Sequence, residues 1–101
     1  MKLVIVTTVD QYKKEVIKLF KDSDVKAFSE LDIEGFKTSN KLPLASNWFA
    51  SNRSGADSEM FFAFTELENA KTLFKQIKKF NKNLDSNNPV KGVIIPVEDH
   101  I

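Results

Sequence analysis

Three short segments of the chain are apolar on both faces, whereas only two segments have the periodicity of a helix. The apolar segments are residues 2–9, 59–65 and 91–97, and they are rich in Val, Ile and Phe, as β-strands are. A sheet with helices on one side usually leaves its other side polar, so strands without a polar face require a second cover. In a chain of 101 residues, we expect that cover to be another copy of the same chain.

Length and composition restrict the class of protein. A chain of 101 residues with 42% hydrophobic side chains suffices for one domain, residues 1–101, with its own core. The net charge of +1 gives no general attraction to nucleic acid or to an anionic membrane. The absence of cysteine fits a reducing compartment, and no apolar run reaches the roughly 20 residues of a membrane span. We therefore predict a soluble, cytoplasmic protein that neither binds nucleic acid nor inserts into a membrane.

Hydrophobic periodicity predicts two helices and a fourth strand. Apolar residues recur at helical spacing in 11–22, after Asp10 as N-cap, and from Thr65 to about residue 81, where Thr65 and Glu68 form a capping-box pattern. Residues 26–36 alternate with a period of two, which is typical of a strand. We expect one set of this strand to face the helices, namely Ala27, Ser29, Leu31 and Ile33. The predicted order β-α-β-β-α-β is that of the α+β ferredoxin-like fold.

Residues 37–57 have no periodicity and are rich in Ser and Asn, which predicts a long loop between the second and third strands. Long polar loops in compact domains are usually functional. This loop holds the only Trp and the only Arg of the chain. Because aromatic and arginine side chains are favoured at interfaces, we predict a partner-docking element made of Trp48, Phe49, Asn52 and Arg53. The alternative is that the two aromatic rings pack beneath the loop and hold it to the domain.

The second predicted strand ends in Glu34-Gly35-Phe36, and the last strand begins at Lys91 with Lys-Gly-Val-Ile-Ile-Pro-Val-Glu. In these motifs and in its layout from Met1 onward, the chain resembles the PII family of nitrogen-regulatory signalling proteins and their PII-like relatives. The resemblance implies a homotrimer whose sheet faces are buried against one another, with ligand clefts between subunits. It also implies that the long loop docks on a partner, for example a membrane transporter. On the same basis, the expected ligand-binding residues are Gly35, Phe36, Lys37 and Lys91.

The chain departs from the PII pattern in the turn before the last strand. ATP-binding members of that family carry a Gly-rich turn there, whereas residues 83–90 contain no glycine. Backbone N–H groups that hold phosphates need glycines for close approach, so the sequence argues against the ATP binding typical of the family and leaves the cofactor unassigned. An alternative role for Lys91 is that of a strand-edge lysine that favours solubility.

Three acidic residues share one face of the second strand: Glu30, Asp32 and Glu34. Neighbours two residues apart on a strand are separated by about 7 Å, too far for one strand to enclose a single cation. We predict a solvated or lysine-paired face and no metal site, with a site assembled from several copies left open as the alternative. The only histidine, His100, lies near the end of the sequence and is not expected to bind a metal.

No catalytic residues can be assigned, because the sequence offers no nucleophile paired with a base, and we predict that the protein is not an enzyme. Phe61, Phe62 and Phe64 invite comparison with RNA-recognition domains, but the basic-Gly-aromatic signature is absent, so core or interface roles are expected. The predicted function is that of a trimeric PII-like regulator that binds a small ligand and acts through the 37–57 loop. The alternatives are a dimeric ACT-like module that binds an amino acid and a CutA-like cation-tolerance protein.

Overall fold

Each predicted strand and helix is present in the computed structural model, which describes residues 1–36, 56–84 and 88–101. The elements in chain order are β1 Lys2–Val9, a 3₁₀ helix Asp10–Tyr12, α1 Lys13–Asp22, β2 Ser29–Gly35, β3 Ala56–Thr65, α2 Leu67–Lys82 and β4 Lys91–Pro96. The predicted α+β ferredoxin-like order is therefore confirmed. The loop was predicted to extend to residue 57, which is wrong, because β3 already begins at Ala56 and pairs with the end of β2.

The four strands form one antiparallel sheet in the order β2-β3-β1-β4. The central strand β1 pairs with β3 on one side and with β4 on the other. Strand β4 is an edge strand of this sheet, as Pro96 predicted, because proline cannot donate a ladder hydrogen bond. In the part of the chain that is described, neither helix is long and apolar enough to cross a membrane.

One face of the sheet packs against both helices and is called the helix face. Val4 and Val6 of β1 and Phe61 of β3 lie on this face and are fully buried. They meet a stripe of helix residues at the spacing that periodicity predicted, namely Val16, Phe20, Ala70, Leu73 and Ile77. The ring of Phe20 lies 5.5 Å from that of Phe61 and 4.8 Å from that of Phe28, measured between centroids. This aromatic cluster joins α1 to the sheet.

The other face of the sheet, called the open face, carries no helix in the described part of the chain. Strand pairing places nine apolar side chains on it: Leu3, Ile5, Leu31, Ile33, Met60, Phe62, Phe64, Val93 and Ile95. All nine are half-buried or exposed, and the exposed fraction reaches 54% at Phe64. The prediction that the sheet is apolar on both sides therefore holds within a single chain. Contiguous apolar surfaces are typical of interaction sites, which agrees with the expectation of a second cover.

The expected orientation of β2 is wrong. Phe28 and Glu30 face the helices, since the Phe28 ring packs on Phe20 and Glu30 Oε1 lies 3.2 Å from Nζ of Lys13 on α1. Leu31, from the set predicted to face the helices, lies on the open face and is 40% exposed. Burial of the large Phe28 ring against two other rings decides the orientation, because the competing set begins with the small side chains of Ala27 and Ser29.

Neither predicted N-cap forms. The chain remains extended through Thr65, which pairs with Lys2 of β1, so Glu66 becomes the N-cap of α2 and makes no side-chain capping bond. Asp10 opens the 3₁₀ helix and accepts a backbone hydrogen bond from Lys13 through its carbonyl, while its carboxylate interacts with Glu59. Thr65 is held in the sheet by its pairing with Lys2, and the carboxylate of Asp10 interacts with Glu59. Neither residue therefore acts as a cap.

The end of α1 follows a regular helix-termination motif. Asp24 has a φ of 61°, the N–H of Asp24 donates to the carbonyl of Lys21, and the N–H of Val25 donates to the carbonyl of Phe20. This is the Schellman pattern, in which a left-handed residue reverses the chain and satisfies the last carbonyls of the helix. Val25 and Phe20 both belong to the buried core, so the reversal also delivers an apolar side chain to the core.

The end of α2 is joined to the start of β4 by one side chain. Asn81 donates from Nδ2 to the carbonyl of Val90 and accepts from the N–H of Val90 through Oδ1, both at 2.9 Å. The side-chain amide thus satisfies both backbone groups of Val90, the buried residue that precedes β4, as a neighbouring strand would. This pair fixes the position at which Lys91 enters the sheet.

We expect Asn81→Ala to lower the free energy of unfolding by about 1–3 kcal/mol, since it leaves the N–H and the carbonyl of buried Val90 without their partner. The matched control is Asn83→Ala, at an exposed position at the end of the same helix, which should change stability by less than about 0.5 kcal/mol. Urea unfolding followed by circular dichroism measures both. Equal effects of the two substitutions would show that the Asn81 bridge does not stabilise the fold.

Candidate functional site

The structure places the predicted ligand-binding residues on opposite edges of the sheet. Gly35 is buried at the end of β2, where it pairs with Ala56, and the adjacent Phe36 is 52% exposed. Lys91 is the first residue of β4 and pairs with Thr7 of the central strand. Lys37 lies outside the described residues. Within one chain, Gly35 and Lys91 share the same end of the sheet but are not brought together.

The predicted docking residues Trp48, Phe49, Asn52 and Arg53 also lie outside the described residues. The residues on either side of the segment 37–55 are described. Gly35 and Ala56 form the last pair of the β2–β3 ladder, so the two strands are hydrogen-bonded nearly up to the point where that segment begins.

A cluster of carboxylates lies on the helix face, where β2 and β3 approach the start of α1. Asp32 of β2 is the ladder partner of Glu59 of β3, and Glu30 precedes Asp32 on the same face. One carboxylate oxygen from each of these three residues lies within 4.8 Å of the others. Asp10 joins them, since its carboxylate hydrogen-bonds with Glu59. Four acidic side chains from three separate segments thus converge at one place.

Glu59 is the buried member of this acidic cluster, with 4% of its surface exposed. The pKa of its carboxyl group is raised to about 7, first by burial and then by hydrogen bonds to Asp32 and Asp10 and by the negative charges of Asp32 and Glu30. Below pH 7 the group is mostly protonated and can donate its proton to a neighbouring carboxylate. Its Oε2 atom is buried and has no hydrogen-bond partner among the described residues.

Lys13 supplies the positive charge at the rim of the acidic cluster. Its ammonium group is paired with Glu30 at 3.2 Å, and the lysine pKa is raised by this hydrogen bond and by the attraction of Glu30, Glu59 and Asp32. The lysine-paired face that the sequence predicted is therefore found at Glu30. One half-exposed lysine stands beside four carboxylates, so the cluster remains strongly acidic.

Two surface clefts lie at this end of the molecule. A polar cleft of about 360 Å³ opens onto the acidic cluster and is lined by Asp10, Lys13, Asp32, Ile33, Asp57, Ser58 and Glu59. A second, more apolar cleft of about 220 Å³ lies between α2 and β4 and is lined by Phe74, Ile77, Lys78, Asn81, Val90, Lys91 and Gly92. Lys91 thus borders a cleft of its own, distant in the sheet from Gly35.

Sequence reasoning found Glu30 and Asp32 but missed Asp10, Lys13 and Glu59 as their neighbours. Residues of β2 alone cannot enclose a cation, but Glu59 of β3 stands beside them as a cross-strand neighbour. Glu59 opens an otherwise apolar segment, and the pattern of that segment predicts only a strand. A charged residue among Phe and Met on a buried strand was the signal that could have identified it.

Comparison with known proteins supports the fold independently. No family model and no curated protein matches the chain. Among solved structures, a DUF3240 family protein from Shewanella baltica OS155 aligns with a TM-score of 0.67 at 15% identity, covering 98% of this chain and 91% of that one. The apo form of CPII, a nitrogen regulatory PII-like protein from Thiomonas intermedia K12, aligns with a TM-score of 0.62 at 15% identity over 95% and 89% of the two chains.

A second structure of CPII, bound to ADP, AMP and bicarbonate, aligns with a TM-score of 0.60 at 16% identity over 99% of this chain and 94% of CPII. In these three alignments the similarity covers at least 95% of this chain and at least 89% of the solved structure. The predicted resemblance to PII-like proteins is confirmed at the level of the fold.

We expect the protein to be more stable near pH 5 than near pH 8 because of Glu59. Its pKa in the folded chain is about 7, against 4.5 for the free side chain. Between these values the folded state retains a proton that the unfolded state has released, so stability falls as the pH rises through this window. In chelator-treated protein, Glu59→Gln should reduce this loss by on the order of 1–3 kcal/mol in urea unfolding.

The control for this experiment is Glu98→Gln, at an exposed position beyond β4, which should keep the pH dependence of the unsubstituted protein. A Glu59→Gln variant with the same loss of stability between pH 5 and pH 8 would contradict the assignment.

Proposed function

We propose that the protein is a cytoplasmic PII-like regulator that binds a small anionic ligand between copies of the chain and acts on a partner protein through the loop that follows Gly35. The observation that carries the proposal is the position of the predicted ligand residues. Of these, Gly35 and Lys91 lie at one end of the sheet but on its two opposite edges. The PII-like fold and the ligands of CPII, which are nucleotides and bicarbonate, support it.

A ligand site that includes residues from both edges of the sheet requires more than one chain, because the edges are far apart. Strands β2 and β4 are separated by β3 and β1, which corresponds to about 14 Å at the usual strand spacing. A small ligand cannot contact both Gly35 and Lys91 at that separation within one copy. When two copies stand side by side, the β2 edge of one can approach the β4 edge of the next. A cleft between the two subunits then contains Gly35 of one copy and Lys91 of the other.

The open face provides the surface for such an assembly. Its apolar side chains extend across all four strands, from Leu31 on β2 to Ile95 on β4, and both of these residues are 40% exposed. Burial of such a face is favourable by about 25 cal/mol for each Å² removed from water. We propose a homotrimer in which the open faces of three copies pack around a common axis.

An anionic ligand fits the cleft beside β4. Lys91 and Lys78 are the charged residues of its lining, and Phe74 and Ile77 provide apolar contact. Because the turn before β4 lacks glycine, the ligand is held by side chains rather than by a phosphate-binding backbone. Bicarbonate and adenine nucleotides are the first ligands to test, since CPII has been seen with both.

A shared site predicts that assembly and ligand binding can be separated by substitution. Phe64→Glu, which places a charge on the open face, should convert the trimer to monomer and abolish ligand binding. Lys91→Ala should weaken ligand binding at least tenfold while preserving the trimer. Light scattering gives the mass, and calorimetric titration with ADP, AMP and bicarbonate gives the affinity.

Matched controls are Leu67→Glu, at an exposed apolar position of α2, and Lys71→Ala, on the exposed side of the same helix. Both should keep mass and affinity unchanged. A protein that is monomeric at high concentration, or one that binds none of these ligands, would refute the proposal. A stable dimer would favour the ACT-like alternative.

The role of the loop leads to a further prediction. Deletion of residues 40–54 should leave the trimer mass and the melting temperature nearly unchanged, because the ladder up to Gly35 and Ala56 does not require those residues. The same deletion should abolish co-purification of a partner from the source cells. Loss of the trimer or of the fold on deletion would show that the loop is structural rather than a docking element.

A further inference from the structure

We infer that the carboxylates of Glu30, Asp32 and Glu59 form a binding site for a hard divalent cation of the size of Ca²⁺. The site lies within a single chain. It is distinct from the anion cleft beside β4 and does not depend on the proposed assembly.

The first support is the separation of the carboxylate oxygens. One oxygen from each of the three residues lies within 4.8 Å of the others. Ca²⁺ binds oxygen at about 2.3–2.6 Å, so ligands on opposite sides of the ion are about 4.6–5.2 Å apart. Three oxygens no farther apart than this can be gathered around one such ion. Mg²⁺ binds at about 2.0–2.1 Å, so its opposite ligands are only about 4.2 Å apart and it requires a tighter cluster than Ca²⁺ does.

The second, independent support is an unpartnered atom. Glu59 is 96% buried, and its carboxyl group reaches into the cluster, where it hydrogen-bonds with Asp32 and Asp10. Its Oε2 nevertheless has no partner among the described residues. A buried oxygen without a donor carries a free-energy penalty of about 1–3 kcal/mol, which argues that something else normally occupies that place. A cation bound by the cluster would satisfy this oxygen.

The chemistry of the cluster selects the class of cation. The three converging groups are all carboxylates, with neither imidazole nor thiolate among them, and a fourth carboxylate, Asp10, stands beside Glu59. Oxygen-only sites suit Ca²⁺, Mg²⁺ and Mn²⁺, whereas Zn²⁺ and Cu²⁺ prefer nitrogen or sulfur ligands. Lys13 partly offsets the negative charge through Glu30, so it should weaken cation binding rather than replace the cation.

The surroundings leave room for the remaining ligands of the ion. Ca²⁺ takes six to eight oxygens, and three carboxylates supply only part of that number. The polar cleft of about 360 Å³ that opens onto the cluster has space for several waters. An open, partly hydrated site of this kind is expected to bind Ca²⁺ with a Kd on the order of 0.1–1 mM.

The experiment is a calorimetric titration of CaCl₂ into the chelator-treated full chain at constant ionic strength, repeated with MgCl₂. We expect saturable binding of one Ca²⁺ per chain and at least tenfold weaker binding of Mg²⁺. Asp32→Asn should weaken Ca²⁺ binding at least tenfold, and Lys13→Met should strengthen it about threefold or more.

Asp32 is exposed, so its substitution keeps the test valid if Glu59→Gln fails to fold. The matched control is Glu68→Gln, an exposed carboxylate at the start of α2, which should bind Ca²⁺ within twofold of the unsubstituted protein. The Phe64→Glu variant should also retain Ca²⁺ binding, so failure of the proposed assembly is distinguishable from failure of this site.

Absence of binding at 10 mM CaCl₂, or unchanged binding by Asp32→Asn, would overturn the inference. Equal affinities for Ca²⁺ and Mg²⁺ would overturn the assignment of ion size. Weaker binding after Lys13→Met would show that the lysine is needed at the site, which contradicts the proposed charge balance.

Discussion

Burial of the helix face beneath α1 and α2 is the interaction on which the rest of the structure depends. The rings of Phe20, Phe28 and Phe61 pack together in this layer, and their contact decides which face of β2 lies toward the helices. That choice also brings Glu30 and Asp32 under the start of α1 and turns Leu31 outward. The packing of these three rings thus determines the core, the position of the acidic cluster and the side chains that β2 places on the open face.

Element types and their order could be predicted from the sequence because they follow from local periodicity. The stripe of Ala70, Leu73 and Ile77 specified the buried side of α2, and Pro96 indicated an edge strand. The orientation of β2 could not be obtained in this way. Strict alternation defines two faces but not which of them is inside, and Phe28 shares its face with the acidic residues Glu30 and Asp32. Side-chain size at a single position, seen only in contact with Phe20 and Phe61, decided it.

The sites were less predictable than the fold because they depend on neighbours distant in sequence. The acidic cluster combines Asp10, Glu30 and Glu59, and only the strand register makes them adjacent. The spacing rule applied to β2 concerns one strand, whereas the proposed cation site requires two. Lys91 and Gly35 show the opposite case. Resemblance grouped them together, but the strand order separates them within a chain.

The ladder pair of Gly35 and Ala56 has a consequence for how such a chain can change over evolution. The two ends of the intervening segment are held side by side by backbone hydrogen bonds, so its closure is already provided by the sheet. The entropy of closing a chain segment rises only with the logarithm of its length, and a doubling adds about 0.6 kcal/mol. Insertions, deletions and new side chains between these anchors are therefore tolerated at little expense to folding. Binding specificity can diverge there while the scaffold stays the same.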